Sequence, residues 1–138
     1  MKEIKSIMLI DDNSIDIFLN QKVIESLKFV ERIQTFSGAL DALNYLKLIE
    51  DINAYHRLFA PQIILLDINM PIMDGFGFLE EFDKLKIFKQ NPVDIFMLSS
   101  SLNSEEISRV NNNKNVSGFI SKPLTADELL AQINRPRK

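Results

Sequence analysis

The stretch Ile63-Ile64-Leu65-Leu66-Asp67-Ile68-Asn69-Met70-Pro71, with Met73-Asp74-Gly75 close behind, decides how the rest of the chain is read. Four consecutive aliphatic residues, with Pro61 before and Pro71 and Gly75 after, predict a short strand buried on both faces. Such strands sit at the centre of a parallel sheet covered by helices above and below. The run stops at a carboxylate. In open parallel sheets the working crevice lies beyond the carboxyl ends of the strands, which puts Asp67 in it.

Outward from this strand the chain alternates. Ile7-Met8-Leu9-Ile10 is a second aliphatic run, and it too ends in acids, Asp11 and Asp12. Asn13 or Ser14 caps a helix to about Leu27, with Ile15, Phe18, Leu19 and Val23 expected on its main buried face. Ile17 and Ile24, seven apart, fall off that stripe. Arg32 to Phe36 alternates polar and apolar, as an edge strand with one wet side does. Ser37 and Gly38 open a helix whose stripe is Ala39, Ala42, Leu43 and Leu46. Past the Asp67 strand, Phe78, Phe82 and Leu85 recur at helical spacing as core. Val93 to Leu98 is a fourth strand, running into Ser99-Ser100-Ser101. Asn103 or Ser104 caps a polar fourth helix with only Ile107 and Val110 apolar, closed by Asn111-Asn112-Asn113. Asparagine is a poor helix former, so this helix is expected to be short and mobile. Val116 to Ile120 is the fifth strand, Lys122-Pro123 follows, and Thr125 caps a last helix from about Ala126 to Ile133.

Five strand–helix pairs with no internal repeat predict a three-layer α/β/α sandwich on a five-stranded parallel sheet with right-handed crossovers. At 138 residues the chain is expected to be a single domain, 1–138, with a core over about 5–134 and no output domain. The segment Asp51 to Ala60, with Tyr55, His56 and Phe59, extends the second helix or forms a packed loop. Arg135 to Lys138 is expected to be a frayed basic tail.

Composition removes several function classes. A net charge of −3 gives no reason to expect nucleic acid, whose binding needs a clustered positive surface. Cysteine is absent, which removes disulfides, thiol catalysis and cysteine metal sites. His56 is the only histidine, so a histidine-rich metal site is excluded. No apolar run approaches membrane-spanning length and the first residues offer no signal-peptide core, so no membrane is expected and cytoplasmic is the default.

The strand ends collect Asp11 and Asp12 from the first, Asp67 from the third, Ser99 from the fourth and Lys122 from the fifth. Crowded carboxylates repel by roughly 4 kcal/mol per pair at about 4 Å and an effective dielectric near 20. A hard divalent cation such as Mg²⁺ (or Mn²⁺) relieves that repulsion and brings a phosphate oxygen with it. Lys122 adds a compact charge for holding phosphate, and Ser99 a hydroxyl donor.

The acidic pair, the strand-ending Asp67, Met70-Pro71…Asp74-Gly75, Leu98-Ser99 and Phe119-Ile120-Ser121-Lys122-Pro123 together resemble the receiver domain of two-component response regulators. The likeness spans essentially the whole chain, in order, and is nearest to the stand-alone, chemotaxis-type regulators. It implies the flavodoxin-like receiver fold with strand order 2-1-3-4-5 and a cis Lys122-Pro123 bond. By the same resemblance Asp67 is the phosphoacceptor, fed by a sensor histidine kinase or a phosphotransfer protein. Asp11, Asp12, Asp67 and the backbone carbonyl of Asn69 hold Mg²⁺, Asp11 mainly through water. Lys122 and Ser99 engage the phosphoryl group, and Ser99 and Phe119 form the switch. Asn69, Ser100 and Ser101 stand where the family modulates the site, and Pro71, Gly75 and Pro123 are structural. Ile17 and Ile24 pack at the margin of the first helix or touch a kinase helix.

Three positions depart from the family's commonest pattern. Ser99 stands where threonine is frequent, Ser100 where alanine is common, and Phe119 where tyrosine is usual. Two rival classes share the layout. An aspartyl-phosphate phosphohydrolase usually carries a second acid two positions after the nucleophile, and here that position is Asn69. A flavin carrier should open its first loop with Ser, Thr or Gly, whereas Asp11-Asp12 repels phosphate. The expected protein is therefore a switch, a monomer or a phosphorylation-dependent dimer, that signals by contact with a downstream protein or by onward phosphotransfer.

Overall fold

The computed structural model describes residue 4 and residues 6–52, 59–100 and 103–135. The strands are β1 (Ser6–Ile10), β2 (Arg32–Phe36), β3 (Ile63–Asp67), β4 (Asp94–Ser99) and β5 (Val116–Ser121). They form one parallel sheet in the order β2-β1-β3-β4-β5, the expected receiver arrangement. The helices are α1 (Ser14–Ser26), α2 (Ala39–Asp51), α3 (Gly75–Phe82), α4 (Ile87–Gln90), α5 (Ser104–Asn112) and α6 (Ala126–Ile133).

Successive strand side chains point to opposite faces, and this sorts the aliphatic runs into two cores. Met8, Ile10, Ile64, Leu66, Ile95 and Met97 face α2, α3 and α5. Ile7, Leu9, Ile63, Leu65, Phe96 and Leu98 face α1 and α6. Both sides of β1, β3 and β4 are covered, so all their residues are buried. β2 is one edge of the sheet, and its residues are half-buried or exposed.

Local chemistry places the helix ends. Asn13 caps α1 by accepting from the backbone N–H groups of Ile15 and Asp16 at 3.0 and 3.1 Å. Asn103 caps α5 and Thr125 caps α6 in the same way, each with acids in the first turn. α5 runs nine residues and buries only Val110.

The structure corrects the orientation of α1. Ile24 is fully buried, and Ile17, Val23 and Leu27 pack against the core beside it. Ile15, Phe18 and Leu19, expected inside, are more than half exposed. Apolar residues at 15, 17, 18, 19, 23, 24 and 27 nearly encircle the helix, so their spacing admits two faces. The true inner row also contains a polar residue, Asn20, which is buried and whose Nδ2 finds no hydrogen-bond partner.

Two smaller differences lie where α3 ends. α3 stops at Phe82, so Leu85 reaches the core from beyond the helix rather than within it. The single turn α4 then intervenes, held at its start by Glu50 of α2, whose carboxylate accepts from the N–H groups of Lys86 and Ile87. Phe82 and Phe88 stack with ring centroids 5.4 Å apart, tying that turn to α3. Tyr55, His56 and Ser101 lie outside the described residues.

Gly75 shows why a glycine follows the crevice loop. A Cβ there would come within 2.8 Å of both the Asp67 carbonyl oxygen and Met97 Cε. Gly75→Ala should therefore lower stability by about 1–3 kcal/mol, the usual cost of overpacking, measurable by urea titration. An unchanged midpoint would show that the loop yields freely.

Candidate functional site

Strand register alone brings the site residues level. Ile10 pairs with Leu66, which sets Asp11 beside Asp67 just past the strand ends. Asp67 pairs with Leu98, placing Ser99 one residue further along. Ser99 pairs with Ser121, so Lys122 emerges at the same edge, where its N–H donates to the Ser99 carbonyl at 2.9 Å. The Lys122-Pro123 peptide is cis, as the resemblance implied.

Lys122 points into the acids. Its Nζ lies 3.0 Å from Asp11 Oδ2 and 3.2 Å from Asp67 Oδ1, both carboxylates being almost fully buried. A third acid, Asp16 of α1, is also 3.0 Å away. Asp12 is exposed at the mouth. Among the described residues Asp11, Asp12 and Asp67 form a group whose ligand atoms all lie within 4.8 Å of one another. An all-carboxylate, hard-oxygen donor set of this size fits Mg²⁺ or Mn²⁺ and suits no soft metal.

The electrostatics follow from burial. Loss of water and the neighbouring charge of Asp11 outweigh the pull of Lys122 and push Asp67 up from its ordinary value to about 6. Burial works against the Lys122 ammonium. Its hydrogen bonds to Asp11 and Asp16, with the charges of Asp11 and Asp67, more than offset that and hold it protonated well above the usual lysine range.

The other expected residues are placed as follows. Ser99 is buried at the end of β4, and Ser100 next to it is exposed. Phe119 is half-buried in β5, packed against the α2–α3–α5 core, and its carbonyl accepts from Gln132 Nε2 at 3.3 Å. Asn69 and Pro71 lie exposed in the loop after Asp67. That loop closes when Gly75 N–H donates to the Ile68 carbonyl at 2.8 Å and Asp74 caps α3. Within it Ile72 adopts φ 70° with its side chain wholly exposed. A β-branched residue in the left-handed region is an outlier of the sort that gathers at functional sites.

Asp16 is the site residue that the sequence does not announce. The available signal was weak: an acid in the first turn of the helix that follows the acidic pair, one turn from Asp12.

The chain matches the sequence pattern of the response regulator receiver domain over residues 7–134. It is 28% identical over 123 residues to the probable methanogenesis regulatory protein FilR2 of Methanothrix harundinacea, covering 89% of this chain and 75% of that protein. Among solved structures it is similar to a two-component response regulator from Cytophaga hutchinsonii, with a TM-score of 0.83, 32% identity and 96% of each chain covered. It also shares the fold of the chemotaxis protein CheY4 of Vibrio cholerae, with a TM-score of 0.71, 20% identity, and 96% and 98% of the two chains covered.

Proposed function

Since the chain belongs to the response regulator receiver domain family, we propose that Asp67 accepts a phosphoryl group from a histidine kinase or a phosphotransfer protein, and that the protein signals by contact or by onward transfer. The observation that carries this reading is Lys122 Nζ, 3.2 Å from Asp67 Oδ1 and inside the same acidic pocket. The Asp67 carboxylate oxygen attacks phosphorus, the phosphorus–nitrogen bond of the donor breaks, and the leaving imidazole keeps the electron pair. The product is an acyl phosphate on Asp67. Lys122 offers N–H donors to the phosphoryl oxygens, and Ser99 adds a hydroxyl from the next strand end. Asp11, Asp12 and Asp67, with the Asn69 carbonyl, would hold Mg²⁺ or Mn²⁺. When bound, that cation neutralises charge on the transferring group.

Ser99 and Phe119 constitute the switch: the hydroxyl moves toward the phosphoryl oxygen and the ring turns inward behind it. This alters the face made by α5, β5 and α6, where a downstream protein or a second copy docks. The exposed Ile15, Phe18 and Leu19 of α1, together with Ile72, put apolar surface at the crevice end of the sheet. They suit the helix of a phosphodonor protein better than Ile17 and Ile24, which face inward.

The test is chemical. Incubation with acetyl phosphate and Mg²⁺ should add one base-labile phosphoryl group by intact mass, and chelation of the metal should prevent it. An adduct that forms equally well in chelator, or one mapped away from Asp67, would refute the assignment. Rapid turnover of a phosphate ester would favour the hydrolase class instead.

A further inference from the structure

Lys122 is held by three carboxylates, and they are not equivalent. An ammonium has three N–H donors, which contacts to Asp11, Asp16 and Asp67 at 3.0, 3.0 and 3.2 Å are enough to occupy. Asp11 and Asp67 also belong to the cation-competent group with Asp12. Asp16 does not. It sits in the first turn of α1, its side chain 34% exposed, and its N–H donates to the Asn13 cap that fixes where the turn begins. Two of the lysine's partners are therefore shared with the cation position, and one belongs to the lysine alone.

Resting on the phosphoacceptor reading above, we propose that Asp16 is a positioning residue that parks the Lys122 ammonium and competes with the phosphoryl group for it. Asp16 touches neither phosphorus nor metal and acts only through Lys122. A cation in the acidic group draws on Asp11 and Asp67, which leaves Asp16 as the undivided counter-ion of the lysine. An oxyanion arriving at Asp67 must then win an N–H donor from Asp16. The contact thus weakens the pocket's hold on a phosphoryl group and keeps Lys122 from closing fully over the Asp67 oxygen. An acid at this position could also merely favour the positive end of α1. That role would change helix stability and leave anion binding alone.

The two roles separate in the full chain with the variants Asp16→Asn and Asp16→Glu. Beryllofluoride, a phosphoryl mimic, is titrated at saturating Mg²⁺ and followed by fluorine NMR, and Mn²⁺ affinity is measured by EPR. Asp16→Asn should bind beryllofluoride about fivefold more tightly, the upper end of what a partly exposed ion pair contributes. Asp16→Glu should return toward wild type, and Mn²⁺ affinity should stay the same in all three proteins. Equal or weaker beryllofluoride binding by Asp16→Asn would overturn the assignment. So would a drop in its Mn²⁺ affinity, which would make Asp16 a cation ligand. A wild-type protein that binds neither probe would remove the phosphoacceptor reading itself, and the role of Asp16 with it.

Discussion

Asp67→Asn is expected to abolish the acetyl phosphate adduct completely and, in chelator at neutral pH, to make the protein more stable than wild type. The first effect follows from chemistry: an amide oxygen is no nucleophile toward phosphorus. The second follows from the raised pKa of Asp67, about 6 against an ordinary 3.8. A carboxyl raised in the folded state is charged at a cost there. The cost is absent below the unfolded value, grows as pH rises toward 6, and is complete above it. At pH 7 it amounts to about 2–3 kcal/mol, which the neutral amide avoids while still accepting from Lys122. Urea unfolding in chelator at pH 7 and pH 4 should show the gain at pH 7 and its near disappearance at pH 4. A variant that still carries phosphate in the pocket would refute the phosphoacceptor role. One less stable than wild type at pH 7 would refute the electrostatic account.

Lys122→Met should have the opposite sign. The substitution keeps most of the length of the side chain and removes its charge, leaving Asp11 and Asp67 buried against each other with Asp12 and Asp16 nearby. Breaking a buried pair from one side typically costs about 3–5 kcal/mol, because the surviving charge is left uncompensated. The lysine pKa is raised, so its stabilisation is fully present at neutral pH and is lost only when pH climbs beyond the ordinary lysine range. The deficit in the variant should shrink as pH falls and the carboxylates take up protons. Adding Mg²⁺ or Mn²⁺ should recover much of it, by thermal melting, since a cation can replace the missing charge. Equal melting temperatures for variant and wild type in chelator would mean that the ion pairs contribute nothing.

The legible part of this molecule was its sheet and the residues at the strand ends. An aliphatic run that terminates in Asp67 or in Asp11-Asp12 specifies both burial and direction, and parallel register then carries the side chains to one edge without further information. Lys122 was legible for the same reason, as the residue after a strand and before Pro123. The inner face of α1 was not legible, because its apolar residues almost surround the helix and Asn20 interrupts the true row. Asp16 was hidden by geometry of another kind. Its partner is 106 positions away, and the contact depends on how α1 is pitched against the turn after β5. The turn α4 escaped because four residues are too few to show a period.

The two sides of α1 carry separate duties. Ile17, Val23, Ile24 and Leu27 anchor its thirteen residues to the sheet, while Ile15, Phe18 and Leu19 on the outside contribute little to holding the domain together. On the proposed reading of that outer row as a partner surface, drift along it would retune which proteins this chain meets without eroding its capacity to fold. A relative could thus acquire a new signalling allegiance through a handful of surface changes and leave the chemistry beside them intact.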